Sequence, residues 1–132
     1  FDRTWYGRVL VERVEEAAGK KEWKRACGEI NQFERLLVDD GVPVIKIFLH
    51  ITPDEQLRRF RERERNPYKR WKIGPDDWRN RKRRKDYERA IDDMFEKTST
   101  PAAPWVAIPA NAKWYARTEV LKVVVHALEA VW

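Results

Sequence analysis

Val42-Pro-Val-Ile-Lys-Ile-Phe-Leu-His-Ile-Thr-Pro-Asp-Glu55 is the stretch that decides the fold class. Residues 42–51 are almost continuously apolar and β-branched, the pattern of a parallel strand covered on both faces. Thr52, Pro53 and Glu55 then make a complete helix start: Thr52 as N-cap, Pro53 in the first helical position, Glu55 closing a capping box. A strand that runs straight into a capped helix is the βα unit of an α/β protein.

The chain continues this alternation on both sides. Upstream, Trp23, Ala26, Cys27, Ile30, Phe33 and Leu37 recur at three- and four-residue steps, the apolar stripe of a helix over 22–39 that Gly41 closes. Gly28 inside that stripe suggests a close contact. Val9, Leu10 and Val14 mark a shorter amphipathic helix after a turn over 4–7. Phe1-Asp2-Arg3 reads as the carboxyl end of another buried strand, where open α/β sheets place their ligand chemistry. Downstream, the helix from Pro53 ends at Asn66-Pro67. A loop runs to Gly74-Pro75, and a long helix to about Lys97 carries Trp78, Tyr87, Ile91, Met94 and Phe95. Residues 104–109 form a second short strand, parallel to the first and its neighbour or near-neighbour. The last helix opens at 111–113, with Ala116, Val120, Leu121, Val124, Leu128 and Val131 on a wide apolar face.

A length of 132 residues suits one domain, 1–132, with a real core. Charged residues at 38% and hydrophobic residues at 42% exclude an intrinsically disordered chain. The longest apolar run is far short of a membrane span. Cys27 is the only cysteine, so no internal disulfide forms, which fits a reducing, cytoplasmic setting. Cys27 lies on the apolar stripe and reads as core, not as a nucleophile. His50 and His126 are far apart and lack partners at zinc-ligand spacing. The chain begins at Phe1 and enters a motif at once, so it reads as a piece of a longer protein.

Positive charge is concentrated in one segment. Residues 58–89 hold 15 of the 28 Lys and Arg but 6 of the 22 Asp and Glu. Two helical flanks bracket a turn that sets Lys69, Arg70 and Lys72 around Trp71. Clustered guanidinium and ammonium groups on a hinged hairpin suit a densely charged anion, phosphate first. Arg81 to Lys85 wrap more than a helical turn and read as a solvated face. Trp71 reads as packing within the hairpin.

FDRTWYGRVLVERVE, INQFERLL, FLHITPDEQLRRFRER, YKRWKI, DDWRNR, TSTPAAPW and IPANAKWYAR occur in this order over the whole chain. Together they resemble the polyphosphate kinase 2 family. The resemblance implies part of a P-loop nucleotide-kinase-like three-layer α/β fold, with parallel strands and a helical lid hairpin near 58–89. It implies phosphoryl transfer between inorganic polyphosphate and a nucleoside mono- or diphosphate, with Mg²⁺ as cofactor. Asp2 matches the family's Walker B aspartate and would hold the metal; Arg3 matches the adjacent phosphate-binding arginine, and Arg63 the arginine at the lid base. Lys69, Arg70 and Lys72 match basic lid positions facing polyphosphate. Asn111 and Lys113 fall in the loop near the nucleotide, where Ala112 replaces an acidic residue common in the family. The wording is closest to the polyphosphate:AMP phosphotransferase branch, making an adenine nucleotide, AMP or ADP, the expected partner. The P-loop, GxxxxGK, is absent from these residues; in the family it lies upstream, so this segment alone should not catalyse.

Two other readings stay open. Cations interleaved with Trp71, Trp78 and Tyr87 also suit a nucleic-acid-binding module, although Asp2 and Arg3 would then be unexplained. A non-catalytic interaction domain is the third. Assembly into a homo-oligomer is open on the sequence.

Overall fold

A computed structural model describes residues 4–130. Phe1, Asp2 and Arg3, and with them the third strand expected there, lie outside the described residues, as does Val131. A 3₁₀ turn over Thr4–Gly7 leads into α1 (Val11–Val14) and α2 (Lys20–Asp39). Next come β1 (Lys46–His50), α3 (Pro53–Arg65), a 3₁₀ turn at Arg70–Lys72, α4 (Pro75–Lys82) and α5 (Arg84–Thr98). β2 (Trp105–Pro109) and α6 (Lys113–Glu129) complete the order. β1 and β2 pair in parallel, Lys46 opposite Trp105 through His50 opposite Pro109, as the strand–helix alternation requires.

Local chemistry sets the boundaries. Gly41 closes α2 in the left-handed region at φ 82°, and the Val42 amide donates back to the Leu37 carbonyl. Pro43 has no N–H for a ladder, so pairing begins at Lys46 and not at Val42. The Thr52 hydroxyl caps α3 by accepting the Glu55 amide at 3.3 Å. The reciprocal half of the expected capping box does not form. Glu55 turns to Arg58 and Arg59 at 2.6–2.7 Å, and the Thr52 amide donates instead to Asn111 Oδ1 at 3.0 Å. Charge-assisted bonds to two guanidinium groups are the stronger choice for a carboxylate.

The main core joins Tyr6, Val9, Trp23, Ala26, Cys27, Ile30 and Met94. Tyr6–Trp105, Trp105–Phe95 and Phe95–Phe48 meet edge to face at 4.8, 5.7 and 5.3 Å, bonding the helices to the sheet. Burial pushes the Cys27 thiol up, in keeping with a core residue. A smaller cluster of Ile108, Ala110 and Ala116 packs α6 on the strands.

Several sequence expectations are corrected here. β1 is not covered throughout: Lys46 is buried, but Leu49 and His50 are exposed, because only β2 pairs with β1 among the described residues. Gly28 makes no close contact. The long helix breaks at Arg83 into α4 and α5. On α6, Ala116 alone is buried, and Leu121 and Leu128 are exposed. No helix among the described residues is long and apolar enough to cross a membrane.

Candidate functional site

α3 leaves the carboxyl end of β1 and carries the first arm of the basic hairpin. Phe60 and Trp78 meet edge to face at 5.2 Å and close that hairpin across its inner side. Five arginines and one phenylalanine cannot all face inward on thirteen residues, so the cations sort by partner. Arg58 and Arg59 bind Glu55, and their hydrogen bonds hold the Glu55 carboxyl down to about 2. Among the described residues, no carboxylate lies within ion-pair reach of Arg61, Arg63 or Arg65.

Arg63 is half-buried and one turn beyond Arg59, hence on the same face. That face is fixed by Arg59, whose Nη2 donates to the carbonyls of Ala110 at 2.7 Å and Asn111 at 3.1 Å. Arg63 therefore lies one turn further along the face of α3 that Arg59 turns to the loop. Both ends of the Asn111 amide are engaged with Thr52: Oδ1 accepts the backbone amide, and Nδ2 donates to the hydroxyl at 3.2 Å. Its side chain latches the loop to the start of α3. Lys113 is exposed. Its charge acts on Glu62, whose carboxyl is held low first by the Lys69 hydrogen bond, with Lys113 and Arg58 adding to it.

Lys69 is paired with Glu62 at 2.8 Å. Arg70 Nε donates to the Glu64 carbonyl at 2.9 Å, leaving the rest of its fork unpaired among the described residues. Lys72 sits 5.0 Å from the Trp71 ring. Trp71 is not packed inside the hairpin as the sequence suggested: it is 78% exposed, and Tyr68 is 88% exposed. The structure thus gathers Arg63, Lys69 and Lys113 around one end of α3, with Arg70 and Lys72 on the turn. Asp2 and Arg3 lie outside the described residues.

Sequence reading missed the role of the run from Arg81. Arg81 and Arg84 are half-buried, not solvated. Arg81 Nη1 donates to the Pro53 carbonyl at 2.8 Å and to Gln56 Oε1 at 3.0 Å, and Arg84 Nη2 to the Ile51 carbonyl at 2.9 Å. They clamp the second arm of the hairpin to the strand–helix junction; Lys82 and Lys85 do face solvent. The i, i+4 relation of Arg59 to Arg63 was the available signal for Arg59.

Two open cavities flank α3. One, of about 990 Å³, runs along Leu57, Arg58, Arg61, Arg65 and Tyr68. The other, of about 540 Å³, lies at the carboxyl end of β1 between Leu49, Ala116 and Leu121, with Arg59, Lys113 and Arg117 around it. An apolar floor edged by cations suits a ligand with a flat apolar part and a charged part.

The polyphosphate kinase 2 family matches residues 1–131. A polyphosphate:AMP phosphotransferase of Pseudomonas syringae pv. tomato is 55% identical over 129 residues, 98% of this chain and 26% of the relative. An AMP/ADP-polyphosphate phosphotransferase of Meiothermus ruber is 40% identical over 131 residues, 99% of this chain and 49% of the relative. A solved polyphosphate kinase 2 structure from Pseudomonas aeruginosa superposes with a TM-score of 0.96 at 50% identity, covering 99% of this chain and 28% of its own. The chain thus spans about a quarter of the first relative and about half of the second.

Proposed function

The chain belongs to the polyphosphate kinase 2 family, and from that premise we propose that the whole protein carrying it transfers phosphoryl groups between inorganic polyphosphate and a nucleotide, with AMP as acceptor. The observation that carries this reading is the group of cations about Glu62 on α3, with Lys69 paired to it, Lys113 acting on it and Arg63 next to it, on a helix that leaves the carboxyl end of a parallel strand, where α/β folds bind ligands. Transfer of a phosphoryl group needs little covalent chemistry from the protein; positioning and charge stabilisation are the task. Arg63, without a carboxylate partner among the described residues, is available to the transferring group. Lys69, Arg70 and Lys72 would hold the polyphosphate chain, Lys69 exchanging Glu62 for a phosphate oxygen. Lys113 would meet the nucleotide, with Asn111 holding the loop in place.

We also assign the finer architecture to this reading. The chain forms one domain-sized part of a three-layer P-loop kinase fold, with 58–89 as its lid. The edge of β1 that has no partner among the described residues, with exposed Leu49 and Leu121 lining one cavity beside it, suits the P-loop-bearing part as its neighbour. Mg²⁺ fits the donor chemistry. Among the described residues no group of three His, Cys, Asp or Glu could form an all-protein cage. Mg²⁺ prefers one or two carboxylates together with substrate phosphates, and Asp2 would be that carboxylate. When bound, the ion would neutralise charge on the phosphates. A cytoplasmic location suits both substrates.

The exposure of Tyr68 and Trp71 beside the cations favours one second reading, a single-stranded nucleic-acid site. Equilibrium titration of the whole protein with polyphosphate and with single-stranded DNA, at matched phosphate and salt, separates the two. We expect polyphosphate to displace the DNA and Trp71→Ala to leave polyphosphate affinity unchanged. Preference for DNA, weakened by ~1–3 kcal/mol in Trp71→Ala as for a lost base stack, would overturn the kinase reading.

A further inference from the structure

The outer face of α3 carries two cations that the proposed chemistry does not use. Among the arginines from Arg58 to Arg89, only the side chains of Arg61, Arg63 and Arg65 make no ion pair or hydrogen bond among the described residues. The others end on carboxylates or backbone carbonyls. Arg63 is two residues from each of the other two, so it lies about 160° round the helix from both. Arg61 and Arg65 are one turn apart and share a face, and both are exposed. That face is turned away from the 109–113 loop, which Arg59 engages from the opposite side.

The spacing of these charges selects the shape of a ligand. Arg61 and Arg65 are about 6 Å apart along the helix axis, and the open cavity of about 990 Å³ beside them is a groove that runs from Leu57 past both to exposed Tyr68. Donors strung along a groove meet a linear polyanion at several points, whereas a single phosphate would use one of them. The row also continues. Arg70 Nε donates to the Glu64 carbonyl in the last turn of α3 at 2.9 Å, which joins the end of the row to the turn bearing Lys69 and Lys72. Two carboxylates line the same groove. Glu62 is taken up by Lys69 at 2.8 Å and Arg58 at 3.6 Å. Asp54 is seven residues before Arg61, about 10 Å along the axis, so the Arg65 end is the most positive.

We propose that Arg61 and Arg65, on the outer face of α3, form a second anion track that holds the part of a long polyphosphate chain lying beyond the cations of the turn. This rests on the phosphoryl-transfer reading above and adds to it a site remote from the transferring group. The track touches no reacting atom. It retains a chain already engaged elsewhere, so its contribution appears only when the chain is long enough to reach both sites.

The test uses the whole protein with two double variants. Arg61→Ala with Arg65→Ala removes both charges; Arg61→Lys with Arg65→Lys keeps them. Turnover is measured with long-chain polyphosphate and with the shortest chain that the unmodified protein uses, beside a thermal melt, sedimentation and equilibrium binding of the long chain. The alanine pair is expected to melt and sediment as before and to keep kcat and KM for the short chain. Its KM for the long chain should rise by ~5- to 10-fold with kcat unchanged, the loss of two exposed ionic contacts. Long-chain binding should also fall less steeply with added salt, because fewer phosphates are neutralised. The lysine pair should recover most of the affinity. An unchanged long-chain KM, or equal rises for long and short chains, would overturn the track. Dissociation of an oligomer in the alanine pair would assign the face to a second copy of the chain and overturn it as well. If the unmodified protein shows no polyphosphate-dependent turnover, the functional reading fails by itself. Equilibrium binding then decides the track: weaker binding of long-chain polyphosphate by the alanine pair supports it, and unaltered binding refutes it.

Discussion

Asp2→Asn in the whole protein is expected to lower phosphoryl transfer by ~10³-fold or more while the protein melts as before. The substitution keeps the size and polarity of the side chain and removes its charge. A carboxylate that holds Mg²⁺ acts on charge developing in the transition state, a contribution of several kcal/mol, and each ~1.4 kcal/mol is tenfold in rate. Because the replacement is nearly isosteric, folding should be spared. Steady-state turnover with polyphosphate and AMP, beside a thermal melt, makes the check. Unchanged turnover would remove Asp2 from the site.

Arg63→Ala should have the second-largest effect. Arg63 is half-buried on α3, on the face that Arg59 fixes against the loop at Ala110 and Asn111. It has no carboxylate partner among the described residues, so its loss frees no buried countercharge there and the fold should tolerate it. Loss of one preorganised donor to a charged transition state typically costs ~10²–10³-fold in kcat. Lys69→Ala should fall short of this, because Lys69 must first give up Glu62, 2.8 Å away. Comparable kcat losses in the two variants would place Arg63 among general polyphosphate-binding cations.

The parts of this fold that could be read from sequence are those fixed by neighbours in the chain. The β-branched run, the Thr52 cap and Pro53 act within a few residues of one another, and α3 begins where they dictate. The parallel pairing followed from alternation alone. What escaped the sequence depends on acceptors far along the chain. Glu34 and Lys46, which form a buried ion pair, lie 12 residues apart, and Tyr6 is 40 residues from Lys46. In a helix and a strand pattern, such charges look like solvent-facing positions. The basic run was legible as charge but not as structure. Arg59, Arg81 and Arg84 end on backbone carbonyls of Ala110, Pro53 and Ile51, and carbonyls carry no side-chain signature. The capping box failed for a related reason: Glu55 had two arginines within one turn, and they outcompete a backbone amide. Of the candidate residues, Arg63, Lys69, Arg70, Lys72 and Lys113 were named by the motif wording, while the bonds by which Asn111 latches its loop to Thr52 emerged only from the structure.

The most direct test of the central claim is turnover of the whole protein with purified polyphosphate, AMP and Mg²⁺, followed by ADP formation. The expected result is ADP made in proportion to phosphate residues lost from the polymer, abolished when the metal is chelated and restored when it is returned. ADP formation that needs no polyphosphate, or no ADP formed from polyphosphate by a folded, metal-replete protein with any nucleoside mono- or diphosphate acceptor, would contradict it.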